Sequence, residues 1–186
     1  MKTRIAAALL LAWLPQQDAG ANEPVPEPPG FRTEDYRSPV PATLAGATVL
    51  DTARAHEMWL AGAAIFVDVL PRPPRPDLPE GTYWRPPQRE SIPGSTWLPN
   101  TGYGVLSPEM AAYFADELDR LATQHPGKPL VIFCLRDCWM SWNAAKRALV
   151  LGHAAVAWYP DGTDGWAESG HPLERIDPVP RPGAAE

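Results

Sequence analysis

The sequence is short of the groups that most directly announce a chemistry. It has two cysteines and four histidines, and no spacing among them completes a four-ligand zinc set, since His153 and His171 stand apart from one another and from the cysteines. Basic charge is scarce as well: 16 Lys and Arg face 22 Asp and Glu, a net charge of −6. That balance argues against nucleic acid or an anionic membrane as partner, because phosphates are held by clusters of Lys and Arg. Only Arg136, Lys146 and Arg147 gather near the cysteines. There is no internal repeat. The one N-terminal apolar run, residues 5–14, is too short to cross a bilayer comfortably. Nothing demands a second domain, and 186 residues with 45% hydrophobic content suit a single core with extensions.

Proline, by contrast, is abundant, with 24 in the chain, and it marks the segments outside that core. Lys2 and Arg4, the apolar run and the small residues Ala19-Gly20-Ala21 have the three parts of a secretory signal cleaved after residue 21. A retained anchor is the alternative. Cleavage would leave 14 basic against 21 acidic side chains, a net charge of −7, no stable membrane span, and a periplasmic protein. Residues 22–46 follow as a proline-rich extension. Its first part, NEPVPEPPG, reads as a mobile spacer, and Phe31, Tyr36 and Leu44 are possible anchors further on. Residues 71–93 combine prolines and arginines with Tyr83 and Trp84, which predicts either a polyproline-like surface excursion or a lid or docking loop. Residues 177–186 read as a flexible tail.

Between these segments the pattern alternates strand and helix. Short strands are expected near residues 48–50, 64–70, 95–98, 130–133 and 154–159. Helices are expected after Asp51 or Thr52, with Ala55, Met58 and Trp59 on one face, and after Ser107-Pro108, with Met110, Tyr113, Phe114, Leu118 and Leu121 on one face. The chain is organised around residues 129–152, PLVIFCLRDCWMSWNAAKRALVLG. Leu130, Val131, Ile132 and Phe133 form an apolar run suited to a strand buried on both faces of a parallel sheet. From Ser141, the spacing of Trp142, Ala145 and Leu149 predicts a helix. Cys134 therefore ends a strand, and the loop of Leu135, Arg136, Asp137, Cys138, Trp139, Met140 and Ser141 leads to a helix N-terminus, where N–H donors favour a thiolate.

Four stretches in order, AIFVDVL, IPGSTWLP, the cysteine loop and DGTDGWAESGHPLE, resemble the rhodanese-like domain over residues 47–176. The resemblance implies a single α/β domain with a mostly parallel five-stranded sheet, helices on both faces, and Cys134 as the sulfane-sulfur carrier. Within that superfamily, CLRDCWMSWNAAKRA is similar to an exported family whose Cys-x-x-x-Cys-Trp motif, here Cys134, Cys138 and Trp139, occurs alongside PQQ-dependent alcohol catabolism. That likeness implies a periplasmic accessory role, with a periplasmic protein or small thiol as partner, associated with a quinoprotein alcohol dehydrogenase system.

The loop departs from a sulfurtransferase loop: it is one residue longer, lacks the usual glycine, and carries Trp139. A second thiol, Cys138, would attack a persulfide, releasing hydrosulfide and leaving a disulfide. Phosphatase chemistry is disfavoured because Arg136 comes too early. Haem attachment lacks its histidine, and a thioredoxin-type pair has two intervening residues rather than three. Three readings remain open. One is thiol-disulfide or sulfur-transfer chemistry, with Cys134 the accessible, low-pKa attacking thiol and Cys138 its resolving partner. A second is a metal or redox-cofactor site in which Cys134, Cys138 and the thioether of Met140 hold Cu(I); no cofactor is firmly implied, and copper is the candidate. The third is a structural disulfide, which over so short a loop stabilises by only about 2 kcal/mol on the entropic account. Asp68, at the end of a core strand, is a supporting residue expected to accept neighbouring backbone amides. Trp139 and Trp142 are expected in the core, Lys146 and Arg147 on a solvated helix face, and His153 outside the chemistry.

Overall fold

In a computed structural model, which describes residues 24–181, the apolar runs become a parallel sheet. The expected signal segment, 1–21, and the end of the tail lie outside the described residues. The elements are β1 (Thr48–Val49), α1 (Thr52–Leu60), β2 (Ile65–Asp68), β3 (Arg89–Ser91), β4 (Thr96–Trp97), α2 (Pro108–Gln124), β5 (Leu130–Phe133), α3 (Trp139–Val150), β6 (Val156–Tyr159), α4 (Gly162–Glu168) and β7 (Glu174–Ile176). Five strands pair in the order β1-β6-β5-β2-β4, every ladder parallel. β5 is central, in register with Ile65–Asp68 on one side and Val156–Tyr159 on the other.

Side-chain alternation along these strands divides the core in two. Ile65, Val67, Leu130, Ile132, Val156 and Trp158 pack with Phe114 and Leu118 of α2 and Trp142, Ala145 and Ala148 of α3. Phe66, Val131, Phe133, Ala157 and Tyr159 face the other way, toward Ala55 of α1 and Trp166 of α4. Helices thus cover both faces, as expected, and each fully buried large apolar side chain contributes about 1.5–3 kcal/mol. The helix starts also follow the sequence. The Asp51 carboxylate accepts from Arg54 N–H, and the Ser107 hydroxyl accepts from Met110 N–H ahead of Pro108.

Four expectations need correction. First, the described part of the expected mobile spacer, residues 24–30, is bound, and with residues 31–45, where Tyr36 and Leu44 anchor as expected, it forms a strap laid across α3. The Glu27 carboxylate accepts from the Thr43 hydroxyl and the Ala45 amide, and Val25, Tyr36 and Val40 pack on the core. Second, Lys146 is half-buried and Arg147 buried, rather than both lying on a solvated face. Lys146 Nζ donates to the carbonyls of Pro28, Pro29 and Gly30 at 2.9–3.1 Å. Arg147 is buried and donates to the carbonyls of Thr101 and Tyr103 at 2.8 Å. Third, α3 starts at Trp139 rather than near Ser141, because the strap carbonyl of Tyr36 accepts the Trp139 N–H at 3.0 Å and so satisfies an end-of-helix donor. Fourth, the tail is tethered at its root: Val179 N–H donates to Trp97 O, and Val179 O accepts from the Tyr113 hydroxyl. A further antiparallel pair, β3 with β7, was not foreseen. Residues 71–88 form no helix or strand.

Candidate active site: two sulfurs at the carboxyl edge of the sheet

The alternation that turns Leu130 and Ile132 toward α3 continues to Cys134, which joins the same apolar cluster as Cys138, Trp139 and Met140. Cys134 is 0% and Cys138 2% exposed. Both are free thiols, so the permanent disulfide is not formed in this structure. Their protonation is unequal. Burial, followed by its interaction with Cys138 and the negative charge of Asp68, pushes the Cys134 thiol well above its ordinary range. Cys138 is pulled down to about 6, chiefly because the Cys134 S–H donates to it, with the Met140 and Leu135 amides and the Arg37 charge adding to the effect. The two shifts run in opposite directions and share one cause, the Cys134 S–H directed at Cys138, which favours negative charge on Cys138 over Cys134. Cys134, expected as the accessible, low-pKa thiol, is instead fully buried, and burial raises its pKa rather than lowering it. Strand-end placement gave it proximity to the loop, but the cover on both faces of the sheet extends past the strand end and buries it.

The loop between the sulfurs is fixed from the far side. Leu135 bridges Gly162, and Cys134 O accepts from Thr163 N–H at 3.0 Å. Gly162 has φ +52°, and a Cβ there would collide with the Cys134 carbonyl, so α4 can approach this closely only through glycine. Arg136 turns away from the sulfurs onto α4: its N–H donates to Asp164, and its guanidinium grips Glu168 at 2.6–2.8 Å and reaches Asp161 at 3.4 Å. It is not placed to hold an oxyanion beside either sulfur. Exposed Asp137 takes φ +52°, a left-handed turn that Asp tolerates better than most residues and that replaces the missing loop glycine. Ser141 Oγ donates to Cys138 O and accepts from Trp158 Nε1, pinning the first turn of α3 to β6. Met140 is buried, with Gly102 against its backbone.

Asp68 is fully buried. Oδ1 accepts from Leu70 N–H, the backbone role expected, and Oδ2 accepts from Arg89 Nε at 2.7 Å and Ser91 Oγ at 2.6 Å. Arg89 continues to Thr163 Oγ1 at 3.1 Å, which closes a chain from Asp68 to the Cys134 carbonyl. Arg89, Gly162 and Thr163 were not singled out from the sequence. The glycine-rich DGTDGW stretch was the available signal for the last two, whereas Arg89 was one arginine among several in a proline-rich run. Among the described residues, no group of three or more His, Cys, Asp or Glu converges on a point where a metal could sit, so a copper ion would have the two sulfurs, with Met140 the loop's other soft donor. No helix among them is long and apolar enough to cross a membrane.

Fold and site together define an α/β protein with two adjacent buried cysteines at the carboxyl edge of a parallel sheet. No protein-family profile matches the chain, and no curated protein does. Solved structures similar to it include a Rhodopseudomonas palustris protein of unknown function described as a possible tyrosine phosphatase, at 23% identity and TM-score 0.45, covering 70% of this chain and 86% of that one. Others are a thiosulfate sulfurtransferase from Pseudomonas aeruginosa, at 20% identity and TM-score 0.47, covering 71% of this chain and 21% of that one, and a rhodanese-like domain from Anabaena, at 17% identity and TM-score 0.43, covering 74% and 86%.

Proposed function

We propose that the chain is an exported rhodanese-like protein that handles sulfane sulfur or disulfides through Cys138 and Cys134. We further propose that it serves in the periplasm as an accessory of quinoprotein-dependent alcohol oxidation, with a periplasmic protein or small thiol as partner. The observation that carries the chemistry is the pair of free cysteines side by side at the carboxyl end of the central strand, with the Cys134 S–H and the loop amides lowering the Cys138 pKa. The cellular setting is supported by the signal-like N-terminus and by the Cys-x-x-x-Cys-Trp resemblance.

The proposed order takes Cys138, whose pKa is lowered, as the attacking thiolate. Cys138 Sγ attacks the sulfane sulfur of a donor; the new S–S bond forms as the donor's own bond to that sulfur breaks, and the donor departs with the electron pair. Cys134 then attacks Cys138 Sγ, its proton going to the outgoing sulfur. The sulfane sulfur leaves reduced, as hydrosulfide, and the two cysteines are left oxidised as a disulfide. A small thiol or a partner dithiol returns the pair to its starting state by exchange.

Mass spectrometry after treatment with a sulfane-sulfur donor tests this order. Persulfide should accumulate on Cys138 in Cys134→Ser, and the wild type should give hydrosulfide and disulfide. Persulfide held on Cys134 in the wild type would overturn it. The pathway assignment is tested separately, by deleting the gene and measuring growth on alcohols; unchanged growth would remove it.

A further inference from the structure

Cys138 is 2% exposed, and the segment laid across it is the strap. Its backbone crosses the cysteine loop at a bridge between Arg37 and Cys138 and at the bond from Trp139 N–H to Tyr36 O. Beyond that crossing, α3 holds the strap with side-chain donors. Trp139 Nε1 donates to Ser38 Oγ and Pro39 O, each at 3.1 Å, and Trp142 Nε1 donates to Thr43 O at 3.1 Å. Asn143 brackets Arg32, accepting from its N–H at 2.9 Å and donating to its carbonyl at 2.8 Å. The Arg32 guanidinium lies 5.3 Å from the Trp139 ring, and Lys146 Nζ lies 4.7 Å from the Trp142 ring while reaching three strap carbonyls.

We infer that residues 24–40 are a detachable cover over the dithiol, and that the cover must lift from α3 before Cys138 can react. The inference deepens the proposed function by assigning the regulation of that site, and it rests on that reading for its purpose though not for its geometry. Two features make this segment, rather than the domain, the part that opens. Much of its attachment is polar, made through backbone groups that water can satisfy in the open state, its core contacts are the partly buried Val25, Tyr36 and Val40, and segments with few buried apolar contacts open at low free energy. Its anchorage is separate, because Leu44 is 3% exposed and belongs to the core, so the cover can swing while its root stays fixed. Trp139 then has a dual role: its ring fills the core beside Cys138, and its N–H groups hold the lid.

The test uses the full chain and reads two sites on the same cover. Amide exchange at Trp139 reports strap opening, and alkylation of Cys138 by iodoacetamide reports access to the sulfur. In Lys146→Ala, which loses three carbonyl contacts remote from the sulfurs, both rates should rise by the same factor, roughly tenfold, while amide exchange at Val131 and Ile132 stays unchanged. Arg32→Ala, acting from the strap side, should repeat the result. Faster exchange at Trp139 with unchanged alkylation of Cys138 would overturn the inference, because access would then come by another route. So would alkylation of the wild type at the rate of an unfolded thiol. Alkylation is read without any sulfur donor, so a gated but persulfide-free protein would retain the cover and reject the sulfur-transfer reading.

Discussion

Two proline-rich segments of this chain have similar composition and opposite fates. Residues 24–45 are bound along α3 by the bonds described above, whereas residues 71–88 form no helix or strand and keep only scattered ties, such as Arg72 N–H to Asn100 Oδ1 and Arg75 to Thr82 O. Tyr83, at the middle of the second segment, is 83% exposed. Proline removes backbone donors and leaves carbonyls unpaired, so such a chain is ordered only where its surroundings supply N–H groups. α3 supplies them through Trp139, Trp142, Asn143 and Lys146, and nothing comparable lies under the second segment until it reaches Arg89 and Ser91.

The largest expected effect tests the donor side of that contrast. Trp139→Ala removes a buried ring and the lid's hydrogen bonds together, and should cost about 3–5 kcal/mol in urea unfolding while exposing Cys138 to alkylation. Asp68→Ala tests the point where the second segment rejoins the domain. It strands Arg89, whose side chain is 9% exposed, without its counter-charge, and should cost about 3 kcal/mol. In Asn143→Ala the Arg32 amide and carbonyl lose their partner, with a destabilisation of about 1–3 kcal/mol and faster exchange of the Arg32 amide. Tyr83→Ala should stay within about 0.5 kcal/mol of wild type. A loss at Tyr83 comparable to that at Asn143 would erase the distinction between the segments.

These contrasts also mark what the sequence could and could not convey. The sheet was legible because Leu130, Val131, Ile132 and Phe133 can be buried on both faces only in a covered parallel sheet, and the helix starts were legible because Asp51 and Ser107-Pro108 carry their own local chemistry. β3 and β7 were not, since Arg89-Glu90-Ser91 and Glu174-Arg175-Ile176 are short and charged and take their order from each other. The strap was hidden for a similar reason: helical periodicity shows that Trp142 and Ala145 share a face, but not that a proline-rich segment from over a hundred residues away covers Lys146 and Arg147. The cysteine loop was found, while the expected accessibility of Cys134 was not. Proximity to a strand end suggested an accessible Cys134, yet both faces of the sheet are covered, and Cys134 continues the face of Leu130 and Ile132.

The pH dependence of alkylation at each cysteine tests the central claim, that the charge resides on Cys138, most directly. Measured in Lys146→Ala so that the cover does not limit access, Cys138 should react as thiolate above about pH 6 and lose reactivity as pH falls through that value, because its pKa is depressed. Cys134, whose pKa is raised, should remain unreactive throughout the neutral range. Replacing the donor in the same background, by Cys134→Ala, should move the Cys138 midpoint up toward the ordinary thiol value of about 8.5. A wild-type-like Cys138 midpoint after Cys134→Ala, or a Cys134 that alkylates at lower pH than Cys138, would contradict the account.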